Sequence, residues 1–232
     1  MIRLRRLTIV ARDPVSLSEF YRRAFDLQSA PGDGAAVCLS DGEFSLELVA
    51  QTPGVSPGLR SLGFSGIDRA SLESRLVSAG VVPVAEQIGD DRLFSDPDGN
   101  LLVGRAGSFP VSPSRGPAPI RHAALYTPDP RRLADFYCRV LEMREVDGTD
   151  RGSIFVSDGY LNLALLFRRT EEKLGLNHFG FHVRSNGELR ARVEKAGADR
   201  GAKRPDRIPF AEYRIHDPEG NGIDISEKGW KA

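Results

Sequence analysis

Apolar and polar positions follow the same order twice along this chain. Each half opens with a β-branched or apolar stretch, Leu4 to Ala11 and Ile120 to Thr127, that runs into Asp-Pro. An aspartate caps the free amides of a first helical turn, and a proline, lacking an N–H, fits that turn. Asp13-Pro14 and Asp129-Pro130 therefore predict helix starts. After the second, Leu133, Phe136, Tyr137, Val140 and Leu141 fall at i, i+3, i+4, i+7 and i+8, one apolar stripe on a helix of about three turns. Short apolar runs broken by turn residues follow. Ala35 to Leu39 and Phe44 to Ala50 flank Ser40-Asp41-Gly42, and Ser153 to Val156 and Leu161 to Phe167 flank Ser157-Asp158-Gly159, which predicts two hairpins. The order strand, helix, then about three strands returns in the second part of each half. The expected fold is α+β, a tandem duplication of paired βαβββ modules.

The correspondence extends to single residues. Asp13-Pro14, Leu17, Phe20-Tyr21 and Arg23 match Asp129-Pro130, Leu133, Phe136-Tyr137 and Arg139. Gly63-Phe64, Leu72, Arg75 and Ala79-Gly80 match Gly180-Phe181, Leu189, Arg192 and Ala196-Gly197. Asp96-Pro97-Asp98-Gly99-Asn100 returns as Asp217-Pro218-Glu219-Gly220-Asn221, and its residues are those of hairpin turns. A match in one order across nearly the whole of each half signals an internal repeat. The expected division is residues 1–107, a Pro- and Ser-rich linker at 108–119, and residues 120–232. A unit of one helix and a few strands cannot cover both faces of its sheet. Two side by side make a curved mixed sheet with helices outside and an open inner face, where a ligand would sit.

Composition narrows the partners. The chain has 32 basic and 32 acidic residues, so no strong field draws nucleic acid or an anionic membrane surface. No apolar run reaches membrane-spanning length, and the start leads directly into a strand pattern, so the expected location is cytoplasmic. Cys38 and Cys138 lack metal or redox spacing and read as small apolar residues.

The halves differ in their chemistry. Where the first has Arg6 and Ser61, the second has His122 and His178, at equivalent places on the first strand of each module. If the modules pair about a pseudo-twofold axis, the two imidazoles share one side of the sheet. The last strand adds Asp224 between Ile223 and Ile225, and a carboxylate there is costly to bury unless it is paired. Two histidines and one carboxylate form the facial triad of non-haem Fe(II) sites, a donor set that also accepts Mn(II), Ni(II) or Zn(II).

The paired βαβββ order, the Asp-Pro helix start followed by Phe-Tyr, the segment around His178-Phe179-Gly180-Phe181 and the ending Asp217-Pro218-Glu219-Gly220-Asn221-Gly222-Ile223-Asp224 resemble the vicinal oxygen chelate superfamily. It includes glyoxalase I, extradiol ring-cleavage dioxygenases and drug-binding proteins. The resemblance nominates His122, position 164, His178 and Asp224 as ligands. Position 164 is Ala, where glyoxalase-type enzymes carry a carboxylate, so the remaining set is similar to that of the dioxygenases. It departs from them in using Asp rather than Glu and in placing Arg214 where a catalytic Tyr is expected. In the first half Arg6, Glu47, Ser61 and Val103 stand at the four positions and cannot hold a metal.

The leading expectation is a metal-dependent enzyme, with Fe(II) or Mn(II), that chelates a small substrate through adjacent oxygens in the manner of an extradiol dioxygenase. A glyoxalase-type isomerase or epimerase is the alternative within the superfamily. The competing class is a metal-free protein that binds aromatic compounds, with Asp224 paired to Arg214. Arg214 and Tyr126 are the candidate substrate-binding residues, and His182 and His216 the candidate acids or bases. Trp230 either closes over the site or anchors the tail. One chain can form the whole pocket, so both a monomer and a homodimer are compatible with the sequence.

Overall fold

The computed structural model describes residues 2–32, 34–81, 87–88, 91–105, 108–112, 118–168, 173–205 and 211–232. The expected boundary after residue 107 and residues 113–117 of the expected linker lie outside them. The first half contributes β1 (Arg3–Ala11), α1 (Pro14–Phe25), β2 (Gln28–Ala30), β3 (Val37–Ser40), β4 (Ser45–Ala50), β5 (Gly58–Ser65), α2 (Arg69–Ser78), β6 (Gln87–Ile88), β7 (Asp91–Ser95) and β8 (Leu101–Arg105). The second contributes β9 (Ile120–Thr127), α3 (Pro130–Leu141), β10 (Arg144–Gly148), β11 (Ile154–Ser157), β12 (Asn162–Phe167), β13 (Gly175–His182), α4 (Asn186–Lys195), β14 (Ala202–Lys203), β15 (Tyr213–His216) and β16 (Gly222–Ser226).

The chain forms two mixed eight-stranded sheets of the same order, β2-β3-β4-β1-β5-β8-β7-β6 and β10-β11-β12-β9-β13-β16-β15-β14. Within each sheet the two modules meet at a central antiparallel pair, β1 with β5 and β9 with β13. Asp13 caps α1 at the amides of Val15 and Ser16, Asp129 caps α3 at that of Arg132, and Pro14 and Pro130 follow as expected. Both helices end on a non-glycine residue in the left-handed region, Asp26 at φ 57° and Glu142 at φ 56°. This conformation is disfavoured for L-residues. Each carboxylate is held by an arginine of the opposite half, Arg192 to Asp26 at 2.8 Å and Arg75 to Glu142 at 2.6 Å.

Strand alternation sorts the side chains of each sheet. On β13, Phe179 and Phe181 face the helices, while His178 and Gly180 face away from them. The helix side is one apolar cluster that runs through both halves. Phe25 of α1 stacks on Phe181 at 4.0 Å, and Tyr21 of α1 lies 6.2 Å from Phe179. On the other side Tyr137 of α3 lies 6.3 Å from Phe64 of β5. Helix α1 packs on α4, and α2 on α3. Each half therefore lends a helix to the core of the other. No described helix is long and apolar enough to cross a membrane.

Truncating the fully buried Phe25 removes packing from both halves at once. The variant Phe25→Ala is expected to lose about 3–5 kcal/mol in urea unfolding while keeping one cooperative transition. Two separated transitions would show that the halves unfold independently.

Candidate metal centre

Pairing across the second sheet sets one row of residues on its helix-free face. From one edge to the other it runs Ala202, Arg214, Asp224, Gly180, His122, Asn162, Ser157 and Arg144. The next row runs His216, Gly222, His178, Ala124, Ala164, Phe155 and Asp147. His122, His178 and Asp224 thus come from three adjacent strands, and one ligand atom from each lies within 4.8 Å of the others. All three are buried.

The protonation of this group follows from its hydrogen bonds. His122 Nδ1 lies 3.0 Å from Asn162 Oδ1, and Asn162 Nδ2 donates to the carbonyl of Lys231 at 2.8 Å. That second bond fixes which end of the amide faces the imidazole, so His122 Nδ1 is the donor and Nε2 carries the lone pair. His178 Nδ1 lies 2.7 Å from Asn177 Oδ1. A register shift in β13 between Leu176 and His178 brings these neighbours to the same side. Nε2 of His178 faces Asp224 Oδ2 at 3.3 Å.

Burial lowers the pKa of both imidazoles. His122 is carried to about 3 by desolvation and by the neighbouring His178. For His178 desolvation outweighs the opposing pull of Asp224. Burial would raise Asp224, but the hydrogen bonds from His178 and Arg214 win and hold it well below the usual carboxylate range. The cluster at neutral pH is therefore two neutral imidazoles and one carboxylate. Nε2 of His178 and a carboxylate oxygen of Asp224 face each other, an arrangement in which a metal cation could replace a shared proton.

Arg214 Nε donates to Asp224 Oδ1. Its Nη2 is buried without a hydrogen-bond partner among the described residues, as is Nε of Arg204. Arg204 continues the same face, because its amide bonds to the carbonyl of Glu212, the residue before β15. Burial, and then Arg214, lower the pKa of Arg204. Beside His178 the floor is small and apolar, formed by Ala124, Ala164 and Phe155 with Val146 and Leu166. Ala164, at the position where a carboxylate would complete a glyoxalase-type set, is part of this floor. Tyr126 is half-buried beyond it, and its pairing with Leu166 and Gly175 sets it toward the far end of the strands.

Two histidines lie farther out. His216 is exposed and is separated from His178 by Gly222 alone. His182 is exposed at the other end of β13, with Nε2 3.2 Å from the carbonyl of Glu227. The sequence did not single out Asn162 or Asn177. The available signal was a carboxamide beside each histidine where the first half has Ser45 and Arg60. It also left Trp230 open. The indole stacks on His122 at 4.8 Å and 5°, and Gly180 gives it room.

The same row in the first sheet holds Leu93, Val103, Gly63, Arg6 and Ser45. Arg6 pairs with Glu47 at 3.0 Å, and its guanidinium lies 4.0 Å over the ring of Phe109. Phe109 packs with Leu93 and Val103 in a small apolar cluster. That face is filled by side chains and offers no group of metal ligands among the described residues.

Residues 122–226 match the family described as a glyoxalase-like domain. No curated protein sequence matches the chain. Among solved structures, the chain is similar to the Mn(II)-bound glyoxalase from Novosphingobium aromaticivorans, at 16% identity and a TM-score of 0.76, covering 97% of this chain and 82% of that one. An extradiol ring-cleaving dioxygenase from B. fuscum is 18% identical with a TM-score of 0.72, covering 98% and 72%. A mutant 4-hydroxymandelate synthase from Streptomyces coelicolor is 14% identical with a TM-score of 0.71, covering 96% and 91%. The second half of the chain is similar to a glyoxalase-like domain, and the chain as a whole has the fold of the vicinal oxygen chelate superfamily.

Proposed function

We propose that the protein is a metal-dependent enzyme of the vicinal oxygen chelate type, with Fe(II) or Mn(II) held by Nε2 of His122, Nε2 of His178 and the carboxylate of Asp224. The observation that carries this reading is the pair of imidazoles that each set Nδ1 against an asparagine oxygen while one ligand atom from each and one from Asp224 lie within 4.8 Å of one another. A metal-binding histidine whose second nitrogen is held in this way is oriented and of fixed tautomer. Zn(II) and Ni(II) suit the same donors. Such a metal supplies Lewis acidity to two adjacent substrate oxygens and, if it is iron, redox chemistry with dioxygen.

The residues around the triad favour a flat, anionic substrate. Ala124, Ala164 and Phe155 form a small apolar cluster beside the triad. The unpaired Nη2 of Arg214 and Nε of Arg204 offer donors to a phenolate or carboxylate. With Ala at position 164, no carboxylate among the described residues joins the triad as a general base, which favours ring cleavage of a catechol-type compound over isomerisation. His216 is the better placed of the two histidine candidates to move a proton, because only Gly222 separates it from His178. His182 sits at the rim, and Tyr126 would flank a substrate at the far end. We assign this site to residues 120–232 and a supporting role to residues 1–107.

A second reading rests on the Arg214–Asp224 pair. With Asp224 neutralised by Arg214 alone, the same face would bind an aromatic compound without metal. Metal analysis separates the two. Protein purified anaerobically without chelator is expected to hold about one iron or manganese per chain. His122→Ala and Asp224→Ala are expected to lose it, and the native protein to consume oxygen with catechols. Absence of metal, with none taken up from Fe(II), Mn(II), Ni(II) or Zn(II), would overturn the enzyme reading.

The depressed pKa of His122 also sets a pH dependence in metal-free protein. The unfolded imidazole takes up a proton near pH 6.5 and the folded one only near about 3. Stability is therefore full above the unfolded value and falls as pH drops from about 6.5 toward 3. Chelator-treated protein is expected to show this loss in urea unfolding, and His122→Gln to flatten it.

A further inference from the structure

The chain after the last strand of each half returns across the helix-free face and lays an aromatic ring on it. In the first half the ring is Phe109, against Gly63 and Arg6; in the second it is Trp230, against Gly180 and His122. A Cβ on Gly63 would come within 2.8 Å of Phe109, and one on Gly180 within 2.8 Å of Trp230. The backbone after each ring is caught by the matching residue of the neighbouring strand. Ser45 donates to the carbonyl of Pro110, and Asn162 donates to that of Lys231. The fold thus builds the same flat slot twice and fills it with a ring both times.

The two rings are held differently. Phe109 is buried and is packed by Leu93 and Val103. Trp230 has Asp224 and Arg214 where Phe109 has those two apolar residues, and it belongs to no buried apolar cluster. It is half-buried. Beyond Gly229, at φ 71°, the segment is fastened by the indole stack, the Asn162 bond and a pair at 2.9 Å between the exposed Lys231 and the half-buried Asp147. Pairs open to solvent in this way hold weakly.

We infer that the slot over Gly180 and His122 is a binding subsite for a planar aromatic ring, which Trp230 occupies in the free protein and which a catechol-type ligand takes by displacing the tail beyond Gly229. This rests on the reading that the helix-free face of the second sheet binds a small ligand. It deepens that reading by naming the ring as the recognised feature and Trp230 as its internal competitor. A ring that competes with its own chain binds with an affinity reduced by the fraction of time the slot is open.

Trp230 is the sole tryptophan, so its emission reports the slot directly. Catechol added to the full chain, metal-free or loaded with Mn(II), is expected to shift that emission saturably, and the non-aromatic cyclohexane-1,2-diol to leave it unchanged. By calorimetry, a chain ending at Lys228 and the full-length variant Trp230→Ala are each expected to bind catechol about tenfold more tightly, as when an open fraction of about a tenth becomes one. Equal or weaker binding by a folded Trp230→Ala protein, or a response to the diol equal to that for catechol, would overturn the subsite. If catechol moves Trp230 in protein that takes up no Mn(II), the subsite stands and the metal reading fails. If Mn(II) binds and catechol leaves the emission unmoved, the subsite fails and the metal reading stands.

Discussion

Four buried aspartates divide their work between the two halves, and the rest of the structure depends on that division. In each, one carboxylate oxygen shapes its own turn and the other reaches across. Asp41 Oδ1 accepts from the amides of Glu43 and Phe44, and its Oδ2 from that of Ile120 in the opposite half. Asp158 does the same with Tyr160, Leu161 and, across, Leu4. Asp96 and Asp217 each close a hairpin and accept the hydroxyl of Tyr137 and Tyr21, respectively. A buried carboxylate that loses a partner is left at high cost. Separated halves would lose these partners together with the aromatic contacts of α1 and α3. The first half brings together no group of candidate metal ligands among the described residues, yet it completes the surroundings of the sheet that does.

Much of this was legible in the sequence, and the limits have physical reasons. Asp-Pro helix starts, the apolar stripe of α3 and the strand runs are local signals, and the structure returns them within a residue or two. The meeting of His122, His178 and Asp224 was legible because strand alternation and matching places in the two modules leave few alternatives. The Ser-Asp-Gly and Asp-Pro-x-Gly-Asn segments were read as turns. They are turns, but half of each aspartate's work lies in a partner far along the chain, which no local pattern reveals. Asn177 escaped notice because a register shift turns it toward the site, against simple alternation. Trp230 was undecidable because its partner is a ring on another strand.

The chemistry of the site reflects a balance of burial and pairing. Desolvation keeps both imidazoles neutral, whereas Asp224 stays ionised because His178 and Arg214 outweigh the same desolvation. One negative charge, two lone-pair nitrogens and two arginine side chains with unmet donors leave the face short of both a cation and an anion. A metal ion together with an oxyanionic ligand would satisfy both needs at once. The first sheet solves the problem in another way, with an internal Arg6–Glu47 pair and a packed phenylalanine.

The alternation along β13 has an evolutionary consequence. Phe179 and Phe181 serve the shared core, while His178 and Gly180, each one step away, serve the open face. Because neighbouring residues answer to different demands, substitutions on one surface can accumulate with little penalty on the other. A copied half can then surrender its chemistry without surrendering its architecture, and the surviving copy is free to change what it recognises.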